Sequence, residues 1–439
     1  MRRSFFWLLP ATCLALVVLT LYLRRERLTP LPRPHFLTSD GNSRLVPSAS
    51  AVDTPPKPTA TIGNAVLPRE TKVAYMNAIM NPDAADLPRL ECPKLPVDVP
   101  RYQHLQAGKT GSADSTIRYF FALDLRQCLT LLPRLIGSIV EAIRFLGPKN
   151  CALSIVEGNS EDGTAEVLAA LRPELEVLGT TYYFSTSDIN PKEGNRIEKL
   201  ARLRNMAVQP IFDDANAPTK RFSADNTTVI FLNDVAICAE DILELIHQRI
   251  FLGADMVCGM DWTYVGRDPT FYDVWIARGM NGDSFFEIPP DGNWNSAWNL
   301  LWNDAAAQSR FHAHQPFQVF ACWNGGAVFT AAPLIENGIR FRAERKGECH
   351  QGEPQLFCKD LWFHGYGKIA VVPTVNLEYS NEAAKKIKEA KGYASRWVSA
   401  PGWRDEKIEW QLEPPEKVKC MAVYENQLFE AWNKTQPGT

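Results

Sequence analysis

The chain of 439 residues has almost no net charge: 47 Lys and Arg against 50 Asp and Glu leave −3 at neutral pH. With no basic excess there is no broad electrostatic footprint for nucleic acid, and that partner class is set aside. No internal repeat is present, so a stacked-repeat architecture is set aside as well. Charge is also missing from Ser4 to Leu23, an apolar run close to the ~20 residues that span a bilayer as a helix. The run has no amphipathic face, which argues against a core helix. It also lacks the small residues of a cleavage site, ending Thr20-Leu21-Tyr22-Leu23-Arg24-Arg25. A signal anchor is therefore favoured over a cleaved signal peptide.

The direction of that anchor is left open by its flanks. Arg2 and Arg3 precede it, and Arg24, Arg25 and Arg27 follow it. The charge rule leans toward a cytosolic carboxyl side. A tail of residues 1–3 alone and the sequons Asn226-Thr227-Thr228 and Asn433-Lys434-Thr435 lean the other way. Nine of the ten cysteines lie beyond the anchor. In an oxidising compartment most can pair, but an odd number leaves at least one free or intermolecular.

Hydrophobic residues make up 45% and charged residues 22%, an ordinary balance for a globular protein. The twelve Trp residues suit either a core or a carbohydrate surface. From Arg24 to Pro100 there are thirteen prolines. Sequence of that kind resists a packed core and forms an extended spacer. Residues 24–116 thus read as a stem, with one helical island at Arg69–Met80 able to dock on the domain. Residues 117–413 read as that domain, one continuous unit, and 414–439 as a carboxyl-terminal tail.

Within the domain, strands and helices alternate. Strands are expected at Ile117–Leu123, Cys151–Val156, Thr180–Phe184, Val229–Leu232 and around Met256–Met260. Between them, a helix is expected with Pro133 near its first turn, Leu135, Ile136, Ile139, Ile143 and Leu146 on one stripe and Gly147 at its end, and others at Ala165–Leu171, Arg196–Val208 and Ile242–Phe251. This alternation predicts an α/β fold with a Rossmann-type, mostly parallel sheet flanked by helices. Ligands of such sheets sit at the carboxyl ends of the strands.

Three segments bring polar groups to those ends. The first is the loop Glu157-Gly158-Asn159-Ser160-Glu161-Asp162-Gly163-Thr164. Its strand-end carboxylate can accept hydrogen bonds from a nucleobase or ribose, or the loop is a plain turn with a helix cap. The second is the helix from Arg196, with Ile197, Leu200 and Leu203 expected to face inward. Among its cations, Arg196 and Arg204, with Asn205, are the candidates to meet a diphosphate, because guanidinium groups fork onto phosphate oxygens. Lys199 and Arg202 fit a solvated face. The third is Val229-Ile230-Phe231-Leu232-Asn233-Asp234, an apolar strand delivering oxygen ligands where a hard cation, Mn²⁺ or Mg²⁺, can bridge a diphosphate; an Asx turn is the alternative.

In this order the segments resemble the nucleotide-sugar half of the GT-A glycosyltransferases. The acid pair of that fold, Asp-x-Asp, is incomplete, since the chain has Asn233-Asp234-Val235. Phe271-Tyr272-Asp273-Val274-Trp275, Ala321-Cys322-Trp323-Asn324-Gly325-Gly326, Gly347-Glu348-Cys349-His350-Gln351-Gly352-Glu353 and Leu356-Phe357-Cys358-Lys359-Asp360-Leu361-Trp362 narrow the match. Over about residues 117–380 the chain resembles the fungal capsule-associated α-1,3-mannosyltransferases, glycosyltransferase family 69 of the cryptococcal type. The resemblance implies a single-pass Golgi membrane enzyme with its catalytic domain in the lumen, moving mannose from GDP-mannose to a glycan acceptor with retention.

It also implies roles. Asp234 is a catalytic residue and metal or diphosphate ligand with Asn233 beside it, and Glu157 and Asp162 lie on the nucleotide side. Trp323, Asn324, Gly325 and Gly326 form a sugar- or acceptor-facing segment, with core packing the alternative for Trp323. Glu353 stabilises charge near the anomeric carbon, orients an acceptor hydroxyl, or pairs with Lys359. His350 completes a metal shell or satisfies some other bond. Cys349 and Cys358 are either a disulfide or two buried thiols. Two other classes share parts of the pattern: a glycoside hydrolase, and a sugar-binding protein of the same fold without catalysis.

Overall fold

The computed structural model describes residues 67–95, 99–106, 116–214, 217 and 219–435. The anchor expected at 4–23 lies outside them. Among the described residues no helix is long and apolar enough to cross a membrane. The strands are β1 (Tyr119–Leu125), β2 (Cys151–Glu157), β3 (Thr181–Thr186), β4 (Thr228–Leu232), β5 (Met256–Val265), β6 (Asp268–Phe271), β7 (Arg278–Gly279), β8 (Phe317–Ala321), β9 (Gly326–Thr330), β10 (Ile369–Leu377), β11 (Lys417–Val423) and β12 (Asn426–Ala431).

Ten of these strands form one sheet in the order β3-β2-β1-β4-β9-β5-β10-β8-β7, with β6 paired to β5. From β3 to β4 the sheet is parallel, and the helices Leu132–Leu146, Thr164–Ala170, Arg172–Leu178 and Arg196–Asp214 fill the crossovers. Beyond β4 the parallel pattern breaks. β9 runs antiparallel between β4 and β5, and β8 runs antiparallel to β10. The sheet is therefore mixed α/β with a parallel first half. Five-residue apolar strands such as β8 and β9 carry no periodic signature of their direction.

Both sheet faces are covered, which is why β1 reads as a nearly unbroken apolar run. Phe120 and Ala122 pack with Ala201, Ala207, Val208 and Ile211 of the Arg196–Asp214 helix. Phe121, Leu123 and Leu125 pack on the opposite face with Leu135, Ile139 and Ile143 and with Ile242 and Ile246 of the Ala239–Leu252 helix. The inward face of the Arg196–Asp214 helix differs from the expected one. Ile197 and Leu200 are half-buried, whereas Arg204 is buried with Ala201, Leu203, Ala207, Val208 and Ile211.

The flanking segments also pack. The Arg69–Met80 island is a helix that buries Tyr75, Ala78 and Ile79. Ile79 carbonyl oxygen lies so near Gly137 that a Cβ there would sit 3.5 Å away, so the two helices are in close contact. Arg89 donates to the carbonyls of Ala78, Asn81, Pro82 and Ala84 and so closes that helix end. A disulfide joins Cys92 to Cys238, 146 residues away. The described part of the segment read as stem is thus fastened to the body. Residues read as tail form the β11–β12 hairpin, tied by Cys420 to Cys349.

That last disulfide corrects the pairing considered for Cys349 and Cys358. Cys358 stays a buried thiol, as do Cys128 and Cys151, and the third bridge is Cys258–Cys322. Both sequon asparagines, Asn226 and Asn433, are exposed.

A buried charge cluster locks residues 99–106 in place. Arg101 donates Nε–H to Glu244 at 2.7 Å and Nη2–H to Asp405 at 2.6 Å, and Tyr102 hydroxyl donates to Glu244 at 2.9 Å. Glu244 has no solvent exposure, so it depends on these donors. Arg101→Ala leaves that carboxylate uncompensated. A loss of about 3–5 kcal/mol in unfolding free energy is expected, read by denaturant or thermal unfolding.

Candidate active site

The carboxyl ends of β1 and β4 meet around one guanidinium. Arg204 donates Nε–H to Glu353 Oε1 at 2.8 Å and Nη1–H to Asn233 Oδ1 at 3.3 Å. Asp124 Oδ1 lies 3.6 Å from Nη1. The guanidinium carbon stands 4.6 Å from the centre of the Trp323 ring and 5.1 Å from that of Phe231. Trp323 Nε1–H donates to Asn233 Oδ1 at 3.0 Å, so the asparagine oxygen is held from both sides. Burial works against the charge of Arg204, but Asp124 and Glu353 outweigh it and hold the proton more tightly than usual.

The surrounding carboxyls are pushed the other way. Burial raises Asp124 to about 6, with Arg204 opposing and Glu353 and Asp234 adding. Asp234, the residue after Asn233, is open to water, yet protein surrounds it closely enough that desolvation lifts it to about 6. Asp273 is raised to about 6, again mainly by burial, and its Oδ2 accepts Asn324 N–H at 2.9 Å. Asp261 is fully buried, lies well above the usual carboxylate range, and accepts the Tyr379 hydroxyl at 2.7 Å. These groups bind protons more tightly in the folded chain than in the unfolded one. Asp124, Asp234 and Asp273 therefore add stability as pH falls through about 6 toward 4, and withdraw it as pH rises.

Residues 118–360 match the family described as cryptococcal mannosyltransferase 1. The chain is 35% identical over 354 residues to the alpha-1,3-mannosyltransferase CMT1 of Cryptococcus neoformans var. neoformans serotype D, covering 77% of this chain and 74% of that one. The chain belongs to the cryptococcal mannosyltransferase family. It is accordingly a glycosyltransferase. Among solved structures it is similar to TarS 1-349 of S. aureus, at 12% identity and a TM-score of 0.34 over 66% of this chain and 67% of that one. It is also similar to the mannosyltransferase PcManGT from Pyrobaculum calidifontis, solved with GDP-Man and Mn²⁺, at 11% identity and a TM-score of 0.33 over 64% and 62%.

The structure divides the residues singled out in the sequence. Arg204, Asn233, Asp234 and Glu353 come together. Glu353, the first residue of the Glu353–Phe363 helix, pairs with Arg204; Lys359 pairs with Glu348 at 2.6 Å instead. Arg196 is exposed at the start of its helix, and its charge reaches the Tyr272 hydroxyl. Glu157 ends β2 and Asp234 follows β4, and both strands run parallel to β1, so the two lie at the same edge of the sheet, with Asp162 in the loop after Glu157. Their oxygens, however, shape the loop. Glu157 accepts Asn159 and Ser160 N–H, and Asp162 accepts Leu129 and Thr164 N–H.

Other assignments are corrected. Asn205 is half-buried and engaged twice with the backbone of Phe341, at 2.8 and 2.9 Å. Trp323 is 1% exposed and Asn324 fully buried, so neither faces a sugar. Asn324 donates Nδ2–H to Gly259 carbonyl at 2.8 Å. Asn324 and Gly325 turn the chain in the left-handed region, at φ 53° and 78°. A Cβ on Gly325 would meet Val235 at 3.0 Å and one on Gly326 would meet Leu232 at 3.1 Å. The glycine pair thus admits the chain against the end of β4, not a substrate. His350 is exposed and bonds Glu344 at 2.8 Å. Among the described residues no group of three or more His, Cys, Asp or Glu is placed to hold a metal ion.

Asp124, Asp261, Asp273 and Tyr379 join the site without having stood out in the sequence as site residues. A carboxylate inside an apolar strand, as at Asp124 and Asp261, was the available signal, since buried acids need a reason. Arg204→Ala strands Glu353 and Asp124 without their cation, and a loss of about 3–5 kcal/mol in unfolding free energy is expected. Adding Glu353→Gln should return part of that loss, so a thermal-unfolding cycle of the two variants reads their coupling.

Proposed function

We propose that this enzyme transfers mannose from GDP-mannose to a glycan acceptor, forming an α-1,3 linkage with retention, on a GT-A-like domain. The observation that supports it is the convergence of Arg204, Asn233 and open Asp234 at the ends of β1 and β4. The buried Arg204 guanidinium fixes Glu353 and Asn233 at that end of the sheet, and Asp234 follows Asn233 in the open. The bond from C1 of mannose to the diphosphate oxygen breaks, and the acceptor oxygen bonds C1 from the same face. The acceptor proton passes to the departing phosphate oxygen, so no separate general base is required. Glu353, buried and paired with Arg204, holds that guanidinium in place and does not attack the sugar.

A divalent cation, Mn²⁺ or Mg²⁺, supplies charge neutralisation on the leaving diphosphate when bound. Asp234, an open carboxylate, is the side chain that would hold it. The Ser4–Leu23 run and the three disulfides support a single-pass Golgi membrane protein with this domain in the lumen.

The test is nucleoside diphosphate release by the full chain in detergent, with GDP-mannose and UDP-sugars, with and without Mn²⁺ or Mg²⁺. GDP-mannose should be turned over, and Asp234→Asn should lower the rate by about 100-fold or more with unfolding unchanged. Full activity in that variant would overturn the role of Asp234. In the wild type the rate should rise with pH through about 6 as Asp234 takes its charge, then level off; initial rates across that range check it.

A further inference from the structure

An aromatic group adjoins the Glu353 side of the cluster and takes no part in the donor reading. The loop after β6 carries Asp273 to the site, and two residues later Trp275 stacks on Tyr424, with ring centres 4.6 Å apart and planes 25° apart. Tyr424 lies in the turn between β11 and β12, and Trp294 Nε1–H donates to its hydroxyl at 3.3 Å. A Cβ on Gly292 would sit 2.4 Å from the Tyr424 ring, so the glycine admits that ring against the loop that carries Trp294. Ile276, next to Trp275, packs on Gly352, where a Cβ would come within 2.3 Å, and Gly352 directly precedes Glu353. The Cys349–Cys420 disulfide fastens the hairpin to that same approach.

Tyr424 is buried, but Trp275 and Trp294 are only partly covered, and Trp298 on the same loop is 82% exposed. Asp291, Asn293 and Asn295 neighbour Trp294 in the chain; Asp291 and Asn295 are exposed, and Asp291 Oδ1 accepts Asn293 N–H and Nδ2–H. Partly open indoles beside amides and carboxylates suit a sugar, whose C–H faces lie on the rings while its hydroxyls bond the polar rim.

We propose that Trp275 and Trp294, backed by Tyr424 and extended by Trp298, form the platform for a neutral oligosaccharide acceptor. The proposal rests on the transferase reading above. It replaces Trp323 and Asn324, which are buried, as the acceptor-facing residues.

The experiment applies the full chain in detergent with GDP to an array of oligosaccharides ending in mannose, glucose, galactose or xylose, and reads retained protein. Thermal stabilisation by GDP-mannose is measured in parallel, so failure of the donor reading shows separately. Wild-type protein should be retained on one terminal class. Trp275→Ala should lose about tenfold in retention, and Trp298→Ala a few-fold, with donor stabilisation unchanged in both. Should Trp275→Ala fail to fold, Trp275→Phe, which keeps a ring against Tyr424, should show a smaller loss. No retention of the wild type, unchanged retention in the folded Trp275 variant, or equal loss of donor stabilisation would overturn the platform.

Discussion

A guanidinium taken out of water demands acids and hydrogen-bond acceptors around it, and Arg204 imposes that demand on the centre of this enzyme. The residue is 6% exposed. Glu353, Asp124 and Asn233 are each placed by their distance from it. These come from three separate parts of the chain: the end of β4, the interior of β1, and the start of a helix far along the sequence. Coulomb attraction in a poorly solvated site is strong enough to hold such a set together only when every partner is in position. The Trp323 and Phe231 rings complete the enclosure, one of them also tying down Asn233.

The same enclosure explains why the acids nearby behave differently from surface carboxylates. Arg204 opposes the rise in Asp124, Asp234 and Asp273, but burial outweighs it in each. Asp234 alone of these is open to water at the strand end, and so it can exchange its proton or meet an incoming ligand. Asp234 therefore gains its charge only as pH rises through about 6.

Segments outside the parallel half of the sheet finish the walls. The helix at Arg69–Met80, the Cys92–Cys238 bridge and Arg101 fasten the preceding chain to the helices behind β1 and β4. The β11–β12 hairpin reaches the opposite wall, held by Cys349–Cys420 beside the approach to Glu353. Neither contact is carried by periodicity. Both depend on cysteines and charged residues far apart in the chain finding one another.

Local chemistry determined much of what the sequence conveyed by itself. Apolar runs located β1 to β5, and the helical stripe with Pro133 located Leu132–Leu146, because burial on two faces and a fixed helical period leave their mark on neighbouring residues. Asn233 and Asp234 were legible for the same reason, as polar residues ending an apolar strand. The order of the later motifs identified the family. The fold alone decided which cation mattered: Arg196, Arg202 and Arg204 share one helix, and only contact with Glu353 and β1 distinguishes the last. It also decided that Asn205 meets the Phe341 backbone, that Asn324 and the Gly325–Gly326 pair serve packing, that β9 enters antiparallel beside β4, and that Cys349 reaches Cys420 rather than Cys358. Each of these depends on which distant segment lies opposite, and pairing across long separations leaves no local pattern to read.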